Sequence, residues 1–308
     1  MHHGPVSPEI AAGLLVLRDR IAASNIPSSA LDESINIAVW NIREFGRVHR
    51  TEPAIHYIAE ILGQFDLIAL VELRDDLTDL GRVLCYLGPE WRVVYSDWID
   101  DSGGNKERVA FLFDRRAVIH NGLAAEIDAP RAKEAEEYLA SHSFWRAPYM
   151  CAFRAGNFDF ITIATHIRWG DSIEARVAEL QLLSEWIDTR FENKFAEDHD
   201  LLVLGDFNTP HITDPIFDIL LSHGLKIPQP LVKLTVGDRV IEGSNLTFNA
   251  RYDQILHRAT IPENFTNKGG ALDFYIDDAS IEALFPGRDY SRTKFTHQMS
   301  ATCGFGFR

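Results

Sequence analysis

Short apolar runs that stop on a polar residue recur along this chain. Leu201-Leu202-Val203-Leu204 is followed by Gly205-Asp206-Phe207-Asn208-Thr209-Pro210. An aliphatic run bounded by turn residues predicts a strand covered on both faces. Gly205 permits a tight turn at its end and Pro210 bars continuation. The same pattern appears where Ile37-Ala38-Val39-Trp40 meets Asn41, Leu67 to Val71 meets Glu72, Ile161 to Thr165 meets His166, and Ala250-Arg251-Tyr252 meets Asp253. The period of two in an extended chain puts Asp206 and Asn208 on one face. Strand ends carrying Asn, Glu, His and Asp predict one polar site above a sheet, where α/β proteins usually bind ligands.

Around these runs the pattern alternates with helical spacing. Ser7-Pro8-Glu9 starts a helix whose stripe is Leu14, Leu15, Leu17 and Ile21. Residues 1–33 therefore read as an N-terminal helical extension, joined through Pro27-Ser28-Ser29 to a main domain at 34–308. A strand at 35–41 leads into a loop at 42–46, and a helix near Thr51-Glu52-Pro53 turns Ile55, Ile58, Ala59 and Leu62 inward. A strand at 66–72 and a helix to about Leu87 follow. Strands at 91–95 and 108–113 flank a polar loop at 100–106. Residues 124–147 read as irregular, with a short helix at 133–140. Strands at 149–153 and 159–165 form a hairpin, and Asp171 with Glu174 makes a capping box for a long helix. A short helix at 214–222 and a strand at 251–257 complete the patterned chain; beyond Pro262 the pattern is poor. Strands outnumber helices without clean βαβ alternation, which favours an α/β protein of the α+β or mixed-layer kind.

The chain has 308 residues, 46% of them hydrophobic, enough for a full core. Cys85, Cys151 and Cys303 are odd in number and share no metal-ligand spacing, which fits a reducing compartment. With no apolar segment of membrane-spanning length and no signal-peptide order at the start, a cytoplasmic location is expected. The formal charge of −15 changes the picture most. An acidic protein does not attract a polyanion by its overall field, so a nucleic-acid or phosphate substrate would need a bound cation and a local basic patch.

In order, Asn41-Ile42-Arg43-Glu44-Phe45-Gly46, Glu72-Leu73-Arg74-Asp75, Lys106-Glu107-Arg108, Thr165-His166, Gly205-Asp206-Phe207-Asn208 and Tyr252-Asp253-Gln254-Ile255 resemble the motifs of the endonuclease/exonuclease/phosphatase superfamily, most of all its deoxyribonuclease I branch. The resemblance runs from about Ile35 to Leu256. It implies a four-layer α/β sandwich, two packed mixed β-sheets flanked by helices, and divalent-metal phosphodiester cleavage. Mg²⁺ (with Mn²⁺ or Ca²⁺ as alternatives) would neutralise charge on the phosphoryl oxygens and prefers few carboxylates plus waters. Glu72 is the expected metal ligand, with Asn41 beside it. Asp206 would orient or deprotonate water, and Asn208 would hold the phosphate. His166 would donate to phosphate or leaving group, with Glu107 fixing and charging the imidazole. Arg43, Arg74 and Arg146 fall where the branch contacts the DNA backbone or minor groove, supplying the local basic patch. Asn105 stands where that branch has an aromatic residue, and the branch's disulfides are missing.

The superfamily ends in Ser-Asp-His before a hydrophobic strand. Here Ser300 is followed by Ala301 and Thr302, then Cys303-Gly304-Phe305-Gly306-Phe307-Arg308. The missing Asp would help hold the metal, and the missing His, contacting the scissile phosphate, would be oriented by Asp253. Codons for this tail read one nucleotide earlier permit His-Leu-Arg-Phe-Trp-Leu, which is consistent with a frameshift near codon 301. Impaired catalysis and loss of the final strand are then expected; His297 lies too far upstream to substitute. The resulting reading is a metal-dependent phosphodiesterase acting on nucleic acid, DNA before RNA, without membrane or obligate protein partner. A phosphomonoesterase or small-molecule or lipid phosphodiesterase is the second enzyme reading, and a catalytically dead phosphate-binding module the alternative of another class.

Overall fold

The computed structural model describes residues 1–31, 33–98, 105–130, 132–134, 137–139, 144–170, 172–236, 239–266 and 268–308. Helices are α1 (Pro8–Ala23), α2 (Glu52–Leu62), α3 (Thr78–Leu87), α4 (Ile173–Glu192), α5 (Phe217–Ser222), α6 (Gln229–Val232), α7 (Ala279–Leu284) and α8 (Arg292–Gln298). Strands are β1 (Ile37–Phe45), β2 (Leu67–Leu73), β3 (Trp91–Tyr95), β4 (Arg108–Asp114), β5 (Ile119–Glu126), β6 (Ala132–Glu134), β7 (Glu137–Leu139), β8 (Tyr149–Ala155), β9 (Phe158–His166), β10 (Leu201–Asp206), β11 (Thr235–Val236), β12 (Arg239–Val240), β13 (Asp253–Arg258), β14 (Gly269–Ala271) and β15 (Phe305–Phe307).

Two mixed sheets carry the architecture. One has the order β14-β15-β1-β2-β4-β3 and the other β13-β10-β9-β8-β5. Each contains one parallel pair, β1 with β2 and β9 with β10, and each pair is joined by a crossover helix, α2 or α4. Alternation along the strands sorts side chains into layers. Val39, Ala69, Phe111, Phe153, Leu202 and Ile255 pack between the sheets. Trp40, Ile68 and Leu112 face the opposite way, toward α1, α2, α3 and α7; Ile161, Ile163 and Val203 face α4 and α5. The expected four-layer sandwich is thus the observed one. Within it α1 lies on α2, where Gly13 leaves room for Tyr57, whose hydroxyl donates to Leu284 O at 2.7 Å.

Several boundaries differ from expectation. β1 continues through the predicted loop to Phe45, because a register shift between Asn41 and Phe45 lets it stay paired with β2. The helix expected at 133–140 is replaced, among the described residues, by the short strand pair β6 and β7; residues 135, 136 and 140 lie outside them. Ser172 caps α4, accepting from Ala175 N at 3.2 Å; Asp171 lies outside the described residues, as does most of the polar loop at 100–106. Among the described residues the weakly patterned tail holds a 3-10 turn at Pro262–Asn264, then β14, α7, α8 and β15. The expected loss of the final strand is overturned: β15 sits between β14 and β1, antiparallel to both. Glycine makes the fit, since a Cβ on Gly306 would meet Ile37 O at 2.3 Å.

Candidate active site

The alternation that builds the inter-sheet core also delivers the polar residues. Asn41 continues the inward series Ile37, Val39; Asp206 continues Leu202, Leu204; His166 follows Ala164. β4 runs antiparallel to β2, so Glu107 at its start lies beside the end of β2. β13 runs antiparallel to β10, so Asp253 begins its strand instead of ending one and pairs with Asp206. All these groups meet at one edge of the seam between the sheets. Asn41, Arg43, Glu72, Arg74, Glu107, Arg146, His166, Asp206 and Asn208 line a single cleft of about 330 Å³, with Glu44, Asn105, Trp169, Tyr252, Ala301 and Thr302 completing its wall.

Of the residues expected at the site from sequence, Glu72 and Asn208 arrive by strained backbone. Alternation would turn Glu72 toward the helices, but its φ of 63° lies in the left-handed region, within a register shift between Leu70 and Leu73. Asn208 has φ 49°, so it reaches the cleft by a turn and not by sharing a strand face with Asp206. Left-handed non-glycine residues cost about 1–3 kcal/mol and persist where surrounding structure enforces them. Here hydrogen bonds do so. Glu72 Oε2 accepts from Glu44 N at 2.9 Å; Asn208 N donates to Asp206 Oδ1 at 2.8 Å, and Asn208 Nδ2 to Ile167 O at 2.6 Å. Gly205 is required for a different reason. Its φ is 146°, and a Cβ there would meet Thr165 O at 1.8 Å.

Asn41 ties the sheets together. Its Nδ2 donates to Glu72 Oε1 and to Asp206 Oδ2, each at 2.9 Å. Its Oδ1 is buried without a partner. A second chain of contacts runs through Glu107, whose Oε2 lies 2.9 Å from His166 Nδ1 and 2.8 Å from Arg146 Nε, while Arg74 Nη2 is 3.4 Å from its Oε1. Burial resists charge on Glu107, yet His166 and the two arginines hold its carboxyl below the usual range. Burial likewise works against an imidazolium at His166, but Glu107 and Asp206 outweigh it and its pKa is raised. Asp206 Oδ2 lies 3.9 Å from His166 Nε2; burial raises the Asp206 pKa in spite of His166. Asp253 is raised further, by burial and then by Asp206. Neither of its carboxylate oxygens has a hydrogen bond of normal geometry, and Thr302 and then His166 are the side chains that favour its charge. The arrangement is an acid and a base about 4 Å apart, beside carboxylate and amide groups able to take a cation.

A sequence profile of the Endonuclease/Exonuclease/phosphatase family matches residues 38–266. The chain belongs to this family. A deoxyribonuclease from Thioalkalivibrio sp. (strain K90mix) is 29% identical over 287 residues, which covers 87% of this chain and 70% of that protein. Deoxyribonuclease-1 of Equus caballus is 26% identical over 184 residues, 57% of this chain and 61% of its own length. The fold is shared with the human nocturnin catalytic domain with bound sulfate anion (TM-score 0.56, 16% identity, 89% and 94% of the two chains). It is shared too with a mannosyl-6-phosphatase from Bacteroides thetaiotaomicron (TM-score 0.54, 15% identity, 89% and 99%).

Members of the family typically use divalent metals. Among the described residues no three His, Cys, Asp or Glu side chains form a ready cage, but Mg²⁺ needs only one or two carboxylates with waters and phosphate oxygens. Asn41 supplies the test. Turned by half a rotation, its orphaned Oδ1 would face Glu72 and Asp206, an arrangement that a cation among those oxygens would make favourable. The residues present fit the ion.

Some site residues escape sequence reasoning. Glu44, with φ 49°, donates its amide to Glu72 and sets its side chain 3.6 Å from Arg74. Tyr252 and Trp169 line the cleft as well; a tryptophan in the polar segment just after His166 was the available signal. Arg43 donates to Thr296 Oγ1 at 2.9 Å and Arg74 to Asn105 O. His297 lies 3.6 Å from Glu44 and is not part of the cleft wall.

Proposed function

We propose that this chain is a divalent-metal-dependent phosphodiesterase acting on DNA, slowed by the residues at 301 and 302. The supporting observation is the meeting of Asn41, Glu72, Glu107, His166, Asp206 and Asn208 in one cleft across the sheet seam. The deoxyribonuclease relatives favour DNA. Residues 34–308 form the hydrolase domain in this reading, with 1–33 an addition docked through α1.

Glu72 and the Asn41 carbonyl oxygen would hold the ion, which when bound neutralises charge on the phosphoryl oxygens. Asp206 accepts the proton of the attacking water. The imidazolium of His166, kept charged by Glu107, donates to the phosphate or the leaving oxygen. Asn208 spends one amide hydrogen on Ile167 O and keeps the other for phosphate. Arg43, Arg74 and Arg146 bring positive charge toward the phosphates, Arg74 and Arg146 while also paired with Glu107, so the cation is what offsets the carboxylates of the cleft.

Slow turnover is inferred from Asp253. Burial and Asp206 disfavour its charge and the Thr302 hydroxyl offsets them only in part; a His in place of Thr302 would offer Asp253 an N–H donor and present its other nitrogen to the phosphate. The test compares this chain with the A301D/T302H double variant on plasmid, single-stranded DNA and bis-p-nitrophenyl phosphate, with Mg²⁺ and with EDTA. Metal-dependent cleavage that rises about 10²–10⁴-fold in the variant supports the proposal. Cleavage at equal rates removes the claim of impairment. No diester hydrolysis by either protein, with phosphate binding retained, favours a binding module.

A further inference from the structure

Trp169 is 74% exposed, yet it lines the same cleft as Arg43, Arg74 and His166. An indole kept in water at a site wall recovers its apolar surface only when something stacks on it. The segment carrying it is anchored by a buried group. Glu179 of α4 is 5% exposed; its Oε1 accepts from Trp145 N at 3.0 Å and its Oε2 from Arg168 N at 3.1 Å. One carboxylate thus staples the chain leading into β8 to the chain leaving β9. Across that staple the Arg168 guanidinium lies 4.4 Å from the centre of the Trp145 ring. Arg146, on the same segment as Trp145, reaches Glu107. Exposed indoles and guanidinium groups therefore stand on a fixed frame beside the groups that would handle phosphate.

That chemistry suits an unpaired nucleotide, whose base can lie on an indole while its phosphates follow the arginines. The bases of an intact duplex have their faces buried in the stack. We infer that Trp169 is a stacking platform for a nucleobase next to the scissile phosphate, and that it makes a single strand a better substrate than an intact duplex. This rests on the phosphodiesterase reading above.

The test measures binding of fluorescein-labelled oligo-dT and of a labelled hairpin duplex by anisotropy in EDTA, for the full chain, W169A and W169F. It also compares kcat/KM on single-stranded DNA with that on bis-p-nitrophenyl phosphate, which offers no base. Stacking is worth about 1–3 kcal/mol per base, so W169A should weaken oligo-dT binding by roughly 5- to 150-fold. W169F should restore most of it. The duplex should lose less, and the single-strand to bis-p-nitrophenyl phosphate ratio should fall. Equal losses on single strand and duplex, or none on the single strand, overturn the platform. Should W169A lose single-strand binding while the parent hydrolyses no diester, the base contact at Trp169 stands, and the phosphodiesterase reading fails together with the claim about substrate preference. Should the parent hydrolyse diesters and W169A bind oligo-dT as well as the parent, the reading stands and the platform fails.

Discussion

Asp253→Asn should make the metal-free protein more stable, and by an amount that depends on pH. Asp253 is fully buried, neither oxygen has a hydrogen bond of normal geometry, and Asp206 stands opposite it in the β10–β13 ladder. Burial and that neighbour raise its pKa well above the ordinary value. The folded state therefore holds this proton more tightly than the unfolded chain. Stability contributed by the protonated form is complete below the unfolded pKa of about 4 and is lost as pH rises toward the folded one. The loss has a limiting slope of about 1.4 kcal/mol per pH unit. Asparagine stays neutral at every pH and so escapes that loss, which should put the variant ahead by on the order of 2 kcal/mol at pH 8. In a chain of this length that corresponds to about 3 °C in Tm. Thermal unfolding followed by circular dichroism in EDTA, from pH 4 to pH 8, is the assay. The Tm difference between variant and parent should grow from near zero at pH 4 to its full positive value at pH 8. A difference that is constant with pH, or negative at pH 8, would refute the reasoning.

Glu107→Gln should lower the His166 pKa, because the carboxylate beside Nδ1 is a principal group opposing the burial cost of the imidazolium. Titration of the imidazole C–H resonances should show the midpoint move to lower pH; an unmoved midpoint would mean that Asp206 alone charges the ring. In the turnover profile the alkaline limb should move the same way. Gly205→Ala should be among the most damaging single-methyl additions in the molecule, since the new Cβ would meet Thr165 O at 1.8 Å with φ at 146°. A loss of about 3 kcal/mol or more in urea unfolding is expected, and a loss under 1 kcal/mol would argue against a forced backbone at that turn.

Alternation makes β1, β2, β4, β9 and β10 legible because both faces of each are covered, and their apolar runs end where chemistry begins. β5 is hidden because it is a largely exposed edge with no apolar run. β14 and β15 are three residues each and glycine-rich, held by neighbours far along the chain. Asn41, Glu72, Glu107, His166, Asp206 and Asn208, which meet in the cleft, were visible through their motifs, but the route by which Glu72 and Asn208 reach it was not. A period of two sends Glu72 away from the cleft, and only the tertiary hydrogen bonds from Asn41 and Glu44 show why its backbone turns it back. Glu44 itself carried no signal, because its contribution is a backbone amide.

The amide of Asn41, joining one sheet to the other, bears on when the protein can act at all. Asn41, Glu72 and Glu107 belong to the first sheet or its edges; His166, Asp206, Asn208 and Asp253 belong to the second. Trp40, next to Asn41, donates to Thr302 O across 262 positions of sequence. A chain made only as far as α4 already has β2 beside β1, but it lacks β15 on the other side and, with β10 and β13, lacks Asp206, Asn208 and Asp253. The cleft is thereby a late product of folding: its walls come from opposite ends of the chain and meet only once the last residues have packed onto β1.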